Sequence, residues 1–240
     1  MNVGGNTRGA LVAVPKSYDA GTAYPLIIVL HGDGKDGATF RNEMTIDAAT
    51  AERAIVAYPD GIDGTWNLYA PTSANPDDAF LAGLVGEVSS RWHVDGERTF
   101  GAGFSSGAFM VSQVACRKPS LFRAIAVHSG GAPAEPQDPG AGTWPNGYAQ
   151  CPNQQSGVAA LVIHGTSDPV VSYESGLYAA SYWAYVDGCG EARSSTMPAP
   201  CERHTSCPSS KPVVFCPVTS LGHAVWADAA RTAATFFLGM

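Results

Sequence analysis

The sequence predicts an α/β protein: a mostly parallel central sheet flanked by helices on both faces. Three observations carry that expectation. Short β-branched runs alternate with helical patterns along the chain. The runs "LIIVL" and "ALVIHG" are apolar throughout rather than at every second position, as strands covered on both faces are. Finally, 240 residues with 45% hydrophobic content can bury one large core, so a single domain over residues 1–240 is expected, with no internal repeat and no linker.

In chain order, the β-branched runs place strands at Ala10 to Val14, Leu26 to Leu30, Ala54 to Tyr58, Thr99 to Gly101, Ala124 to Val127, Ala159 to Ile163 and Val213 to Val218. From Asp77 to Trp92, the residues Phe80, Leu81, Leu84, Val85, Val88 and Trp92 share one helical face, with Asp77 or Asp78 as the cap. Further helices are expected from Ser106 to Lys118, stopped before Pro119, from Tyr173 to about Val186, and from Ala224 to Phe237. The stretch from Gly130 to Gly157 has Pro and Gly throughout and no periodicity, so it reads as a short lid loop over the strand ends. In such a sheet, functional groups collect at the carboxyl ends of the strands.

Composition narrows the function. Charged residues are 15% of the chain, against about 25% in an average soluble protein, and 27 Gly and 17 Pro imply many tight turns. A net charge of -7 without any Lys/Arg cluster argues against nucleic acid. No apolar run approaches the roughly 20 residues needed to span a bilayer. Six cysteines without paired C-x2-C spacing argue for disulfides rather than zinc, hence for an oxidising compartment. The N-terminus "MNVGGNTRGA" lacks the basic and apolar regions of a secretory signal. The expectation is therefore a mature secreted protein whose signal was replaced by a starting Met, acting as a monomer.

The stretch "GAGFSSGAFM" at residues 101–110 admits two readings. As a dinucleotide-binding glycine turn it needs an acidic residue at the end of the next strand to hold a ribose, but that strand ends "AIAVHSGG", with His128 and Ser129 in that place. As G-x-S-x-G it needs a strand before it, small residues flanking a strained turn, and a helix after it, and "RTFGAGFSSGAFMVSQVACRK" has all three. The frame centres on Ser105 rather than on Ser106. A serine nucleophile needs a histidine base oriented by an acid, in the order Ser, Asp or Glu, His. "ALVIHGTSDPVV" offers Asp168 just past a strand end, and "SLGHAVW" offers His223 before the last helix. Asp187 is the nearest substitute acid but follows a helix, and His31, His128 and His164 compete with His223 from other strand ends. "PLIIVLHGDGKDG" supplies an early loop in which His31 and Gly32 turn the backbone, so the N–H groups of Asp33 and Ser106 are the expected oxyanion donors.

With these pieces in order, the chain resembles secreted serine esterases of the polyhydroxybutyrate depolymerase and feruloyl esterase type, related to carbohydrate esterase family 1. The matching segments are "YPLIIVLHGDG", "IVAYPDGIDGTWN", "RTFGAGFSSGAFM", "IHGTSDPVV" and "GHAVW", which together span most of the chain. The resemblance implies an α/β-hydrolase fold and ester hydrolysis through an acyl-enzyme, with Ser105 as nucleophile, Asp168 as acid and His223 as base. No metal or organic cofactor is implied. Where family members commonly carry Trp-Pro soon after the histidine, this chain has Trp226 and no Pro.

The implied substrate is a polymeric or aromatic ester: feruloyl or acetyl esters of plant polysaccharide first, polyhydroxybutyrate or another polyester second. A hydrolase fold kept only as a binding module is the remote alternative. Trp66 and Asn67 in "DGTWN", Trp144 in the long loop and Trp226 are the expected substrate contacts, because an exposed Trp offers a flat face to an aromatic acyl group or a sugar ring. Tyr58 is expected in the core. Cys116 with Cys151 would tie the long loop to the helix after Ser105, and Cys189, Cys201, Cys207 and Cys216 would staple the stretch before His223, in a connectivity the sequence leaves open.

Overall fold

Alternation along one strand organises both cores. In the run Tyr24–Leu30 of the computed structural model, every residue is buried, with Leu26, Ile28 and Leu30 on one face of the sheet and Ile27 and Val29 on the other. The structure describes residues 1–133, 142–151 and 157–240.

The chain opens with β1 (Asn2–Val3), β2 (Asn6–Thr7), β3 (Ala10–Ala13) and β4 (Tyr24–Leu30). Next come α1 (Gly37–Arg41), α2 (Ile46–Ala49), β5 (Ile55–Pro59), α3 (Pro76–Arg91), β6 (Val94–Phe104), α4 (Ser106–Arg117) and β7 (Ala124–His128). The last third holds β8 (Ala159–Gly165), α5 (Tyr173–Val186), β9 (Arg193–Ser195), β10 (Glu202–His204), β11 (Val213–Val218) and α6 (Ala229–Leu238). A nine-stranded sheet runs β3-β5-β4-β6-β7-β8-β11-β10-β9. Its six central strands are parallel, and β3, β10 and β9 pair antiparallel at the edges. This is the α/β-hydrolase arrangement. Side chains of α3, α4 and α5 fill one face, and those of α1, α2 and α6 the other. Tyr58 is fully buried, and its hydroxyl donates to Asp47 Oδ1 at 2.8 Å.

Several boundaries differ from the sequence reading, each for a physical reason. β6 starts at Val94, not Thr99, because Val94 already pairs with Tyr24 across a bulge, and its polar first half carries no apolar signal. The cap of α3 is Asn75, whose side chain accepts from the N–H groups of Asp77 and Asp78, with Pro76 in the first turn. Asp77 and Asp78 are instead buried in ion pairs, with Arg8 at 2.7 Å and Arg117 at 3.1 Å. α6 starts at Ala229, not Ala224: the residues before it form a turn, closed by Ala229 N–H to Trp226 O at 2.9 Å, in which Trp226 N–H donates to the ring of His128. The short helices α1 and α2 and the strands β1, β2, β9 and β10 are too short or too polar for periodicity to find.

Disulfides join Cys116 to Cys151, Cys189 to Cys207, and Cys201 to Cys216. The first ties the 142–151 segment to α4, and the third anchors the approach to β10 onto β11. Parts of the expected lid loop, residues 134–141 and 152–156, lie outside the described residues. Among the described residues no helix is long and apolar enough to cross a membrane.

Asp187, which ends α5, is 7% exposed, and neither carboxyl oxygen has a hydrogen-bond partner among the described residues. Burial pushes its pKa up to about 7 from an ordinary 3.8, against a smaller pull from Lys211. Between those values the folded chain holds a proton that the unfolded chain has released, so stability falls as pH rises through that window. Asp187→Asn should therefore raise the thermal midpoint by several degrees at pH 8 and leave it unchanged at pH 4, measured by calorimetry at both pH values.

Candidate active site

Ser105 occupies the single-residue turn between β6 and α4 with φ 53 and ψ -124, a conformation an L-residue adopts only under constraint. The constraint is close backbone approach on both sides. A Cβ at Gly103 would lie 2.4 Å from Gly107 O, and one at Gly107 would lie 2.4 Å from His31 O and 2.5 Å from Leu30 O. Only glycine fits at either position. Ser105 N–H donates to His128 O at 3.0 Å, and Ser105 O accepts from the N–H groups of Ala108 and Phe109, which pins the turn.

The histidine arrives on the loop after β11. His223 Nε2 lies 3.0 Å from Ser105 Oγ, and its Nδ1 lies 2.8 Å from Asp168 Oδ2. Because Asp168 is an acceptor, Nδ1 carries the proton, which leaves the Nε2 lone pair facing the serine hydroxyl. Asp168 follows β8 and accepts on Oδ1 from the N–H groups of Val170 and Val171 at 2.9 and 3.0 Å. Burial pushes its carboxyl up, but the hydrogen bonds from His223, Val170 and Val171 outweigh this and hold it below the ordinary value. The two loops are sewn together by Ser167 N–H to Leu221 O at 3.1 Å and Ser220 N–H to Thr166 Oγ1 at 2.9 Å. The structure thus brings Ser105, His223 and Asp168 into one hydrogen-bonded relay.

The loop after β4 lies against the same serine: a Cβ at Gly32 would stand 3.2 Å from Ser105 Cβ. Among the described residues the N–H groups of Asp33 and Ser106 have no acceptor, Ser106 because it opens α4. The side chain of His31 orients the loop. Gly61 N–H donates to its Nε2 at 2.9 Å, so Nδ1 carries the proton and donates to Gly32 O at 2.8 Å. In a trans peptide the N–H opposes the C=O, so this bond turns Asp33 N–H away from the ring.

The expected substrate contacts are not brought into the relay. Trp66 is a correction: at 3% exposure it offers no face to a ligand, and its Nε1–H donates to His31 O at 2.8 Å from beneath the loop. Asn67 is exposed, but its Oδ1 accepts from Tyr69 and Ala70 N–H, so it holds its own turn. Trp144 meets Tyr185 edge-on at 5.9 Å. Trp226 is half-buried against the second core, with its backbone N–H on His128.

Three supporting histidines were visible in the sequence only as rivals of His223. His31, His128 and His164 are fully buried at three strand ends, and burial depresses the pKa of each, that of His128 to about 3. His128 Nε2 accepts Trp226 N–H at 2.9 Å, and His164 Nε2–H donates to Val171 O at 3.0 Å. The signal that could have found them is the recurrence of His where strands β4, β7 and β8 end. Among the described residues no group of three or more His, Cys, Asp or Glu side chains is placed to hold a metal ion.

Comparison with known proteins gives the family. Residues 12–138 match the family described as esterase PHB depolymerase. A probable feruloyl esterase C of Aspergillus niger is 28% identical over 194 residues, which cover 78% of this chain and 64% of that protein. Feruloyl esterase B of Piromyces equi is 28% identical over 239 residues, covering 90% of this chain and 42% of that one. The chain thus spans less than two thirds of the length of these relatives. Among solved structures, an acetyl xylan esterase from Aspergillus awamori superposes with a TM-score of 0.71 at 18% identity, covering 95% of this chain and 94% of that one. At that identity the likeness is one of fold.

The glycine contacts predict a steep cost for a single methyl group. Gly107→Ala would drive its Cβ into the carbonyls of Leu30 and His31, which cannot both retreat without moving β4. A loss of about 3 kcal/mol or more of folding stability is expected in urea titration, together with loss of the relay.

Proposed function

The chain belongs to the esterase PHB depolymerase family, and from that premise we propose that it is a carboxylic ester hydrolase in which Ser105, His223 and Asp168 form the catalytic triad. The observation that carries this reading is the continuous relay from Ser105 Oγ to His223 to Asp168, at 3.0 and 2.8 Å, on a strained serine turn. In the proposed mechanism, Ser105 Oγ bonds to the ester carbonyl carbon while its proton passes to His223 Nε2. Negative charge gathers on the former carbonyl oxygen, where the N–H groups of Asp33 and Ser106 receive it. The intermediate collapses, the C–O bond to the alcohol breaks, and the alcohol leaves with the proton from Nε2. Water then attacks the acyl-enzyme, gives its proton to Nε2, and releases the acid as Ser105 recovers its hydrogen. Asp168, held ionised by its hydrogen bonds, keeps the histidine in the required tautomer and stabilises its charged form.

For substrate, feruloyl or acetyl esters of plant polysaccharide are the reading supported by the feruloyl esterase relatives. Polyester hydrolysis is the second reading, favoured by the description of the family itself. Three disulfides support an extracellular site of action.

Hydrolysis of p-nitrophenyl acetate tests the chemistry. Ser105→Ala and His223→Ala should each lower kcat by about 10^4–10^6-fold, and the double variant should be no worse than either, because the groups act as a unit. Equal rates for wild type and Ser105→Ala would overturn the proposal. A panel of methyl ferulate, acetylated xylan and polyhydroxybutyrate film then separates the two substrate readings.

A further inference from the structure

An aromatic cluster outside the relay remains unexplained by the chemistry above. On α5, Tyr178 and Tyr185 lie two turns apart on one helix face, about 10 Å along the axis, and are 43% and 44% exposed. Tyr148, from the 142–151 segment, stands between them, its ring 5.1 Å from Tyr178 and 5.5 Å from Tyr185, both in edge-to-face contact. The cluster is fixed in place: Tyr182 hydroxyl donates to Ala149 O at 3.0 Å, and the Cys116–Cys151 disulfide fastens the same segment to α4. Exposed rings held this firmly lose little freedom on binding a ligand.

Two clefts flank this row, one lined by Tyr178 and the other by Tyr148 and Tyr185. One, of about 690 Å³, is lined by Phe109, one helical turn past Ser105, by Ser172, next to Val171, and by Tyr178. The other, of about 460 Å³, is lined by Tyr148, Tyr185 and His204. Among the described residues neither is lined by Lys or Arg, while Glu174 lines the first and Glu191 the second, so the lining disfavours an acidic ligand. The remaining polar lining is neutral, with Thr143 and Ser175 in one and Asn146 and Ser181 in the other. His204, 6% exposed, adds an acceptor in need of a donor. Its Nδ1–H donates to Gly190 O at 3.0 Å, which leaves Nε2 unprotonated and without a partner among the described residues.

Flat rings, uncharged hydroxyl and amide groups, carboxylates and an unfilled acceptor together match one ligand chemistry, a neutral chain of sugar rings with apolar C–H faces and hydroxyl rims. We propose that α5 and the 142–151 segment form a binding track for a neutral polysaccharide backbone, running from the relay past Tyr178 to Tyr148 and Tyr185. This rests on the reading of the chain as an esterase of plant polysaccharide, and it assigns the track to the carbohydrate that carries the ester. The face sought at Trp66 in the sequence is supplied here by tyrosines.

Binding is tested apart from hydrolysis. Ser105→Ala protein is titrated calorimetrically with ester-free xylohexaose, an oligogalacturonate and a 3-hydroxybutyrate oligomer. The expected result is saturable binding of xylohexaose alone, weakened tenfold or more by adding Tyr185→Ala or Tyr178→Ala and kept within threefold by Tyr185→Phe. Unchanged thermal midpoints in both alanine variants establish that the fold is intact, and if one variant fails to fold the other decides. No saturable binding, binding insensitive to both alanine variants, or oligogalacturonate or hydroxybutyrate bound as tightly would overturn the proposal. Because the titrated protein lacks the nucleophile, failure of p-nitrophenyl acetate hydrolysis in the wild type would sink the proposed chemistry without touching this result, and the reverse also holds.

Discussion

Everything at the candidate site depends on how closely β4, β6 and the start of α4 approach one another. Gly107 sits where its missing Cβ would collide with the carbonyls of Leu30 and His31, and Gly103 where its own would collide with Gly107. That contact leaves the chain no ordinary conformation at Ser105, which takes φ 53 and projects from the strand end. The same contact brings the His31-Gly32-Asp33 loop against the serine, so the proposed nucleophile and the proposed oxyanion donors are set by one packing event. Hydrophobic burial on both faces of the sheet offsets the local strain, since β4 is wholly buried and cannot relax away.

The loops that complete the site are each held by a buried histidine acting through its ring hydrogen bonds. His31 turns the peptide that carries Asp33 N–H, His164 holds the carbonyl of Val171 beside Asp168, and His128 grips the N–H of Trp226 just after His223. Burial depresses the pKa of all three rings, and at His31 and His128 the role requires a neutral ring, because only an unprotonated Nε2 can accept the backbone N–H. His223 differs in being only half-buried and in bridging a carboxylate and a serine hydroxyl, with Nδ1 on Asp168 Oδ2 and Nε2 on Ser105 Oγ. Residue type is therefore the same at four strand ends, while environment separates three supports from the group placed to act.

The sheet order explains why residues distant in sequence meet. β6 and β8 lie on either side of β7, and β11 lies next to β8, so the turns carrying Ser105, Asp168 and His223 open on the same edge. Hydrogen bonds from Thr166 and Ser167 N–H to Val218 and Leu221 O hold the last two of these turns together, and the disulfide from Cys201 to Cys216 ties β11 to the approach to β10. The disulfide from Cys116 to Cys151 ties the 142–151 segment to α4, and Tyr148 of that segment packs on α5, where the tyrosine row forms.

The sequence by itself determined the parallel α/β sheet and the glycines around the serine, and it singled out Ser105, Asp168 and His223, whose side chains the fold brings into hydrogen-bond contact. These are local properties: runs of apolar residues, and short turns whose residue types are dictated by sterics within a few positions. It could not assign what depends on distant neighbours. Trp66 in "DGTWN" has the composition of an exposed loop, yet it is buried because His31 O accepts its ring N–H from 35 residues away. Asp77 and Asp78 look like a helix cap, but Arg8 and Arg117 claim them from across the fold. Likewise the pairing of four crowded cysteines, the three supporting histidines and the row of tyrosines on α5 were decided only by tertiary structure. Burial and partnership are set by which surfaces the packed sheet and helices bring together, and nearby residues in the chain do not carry that information.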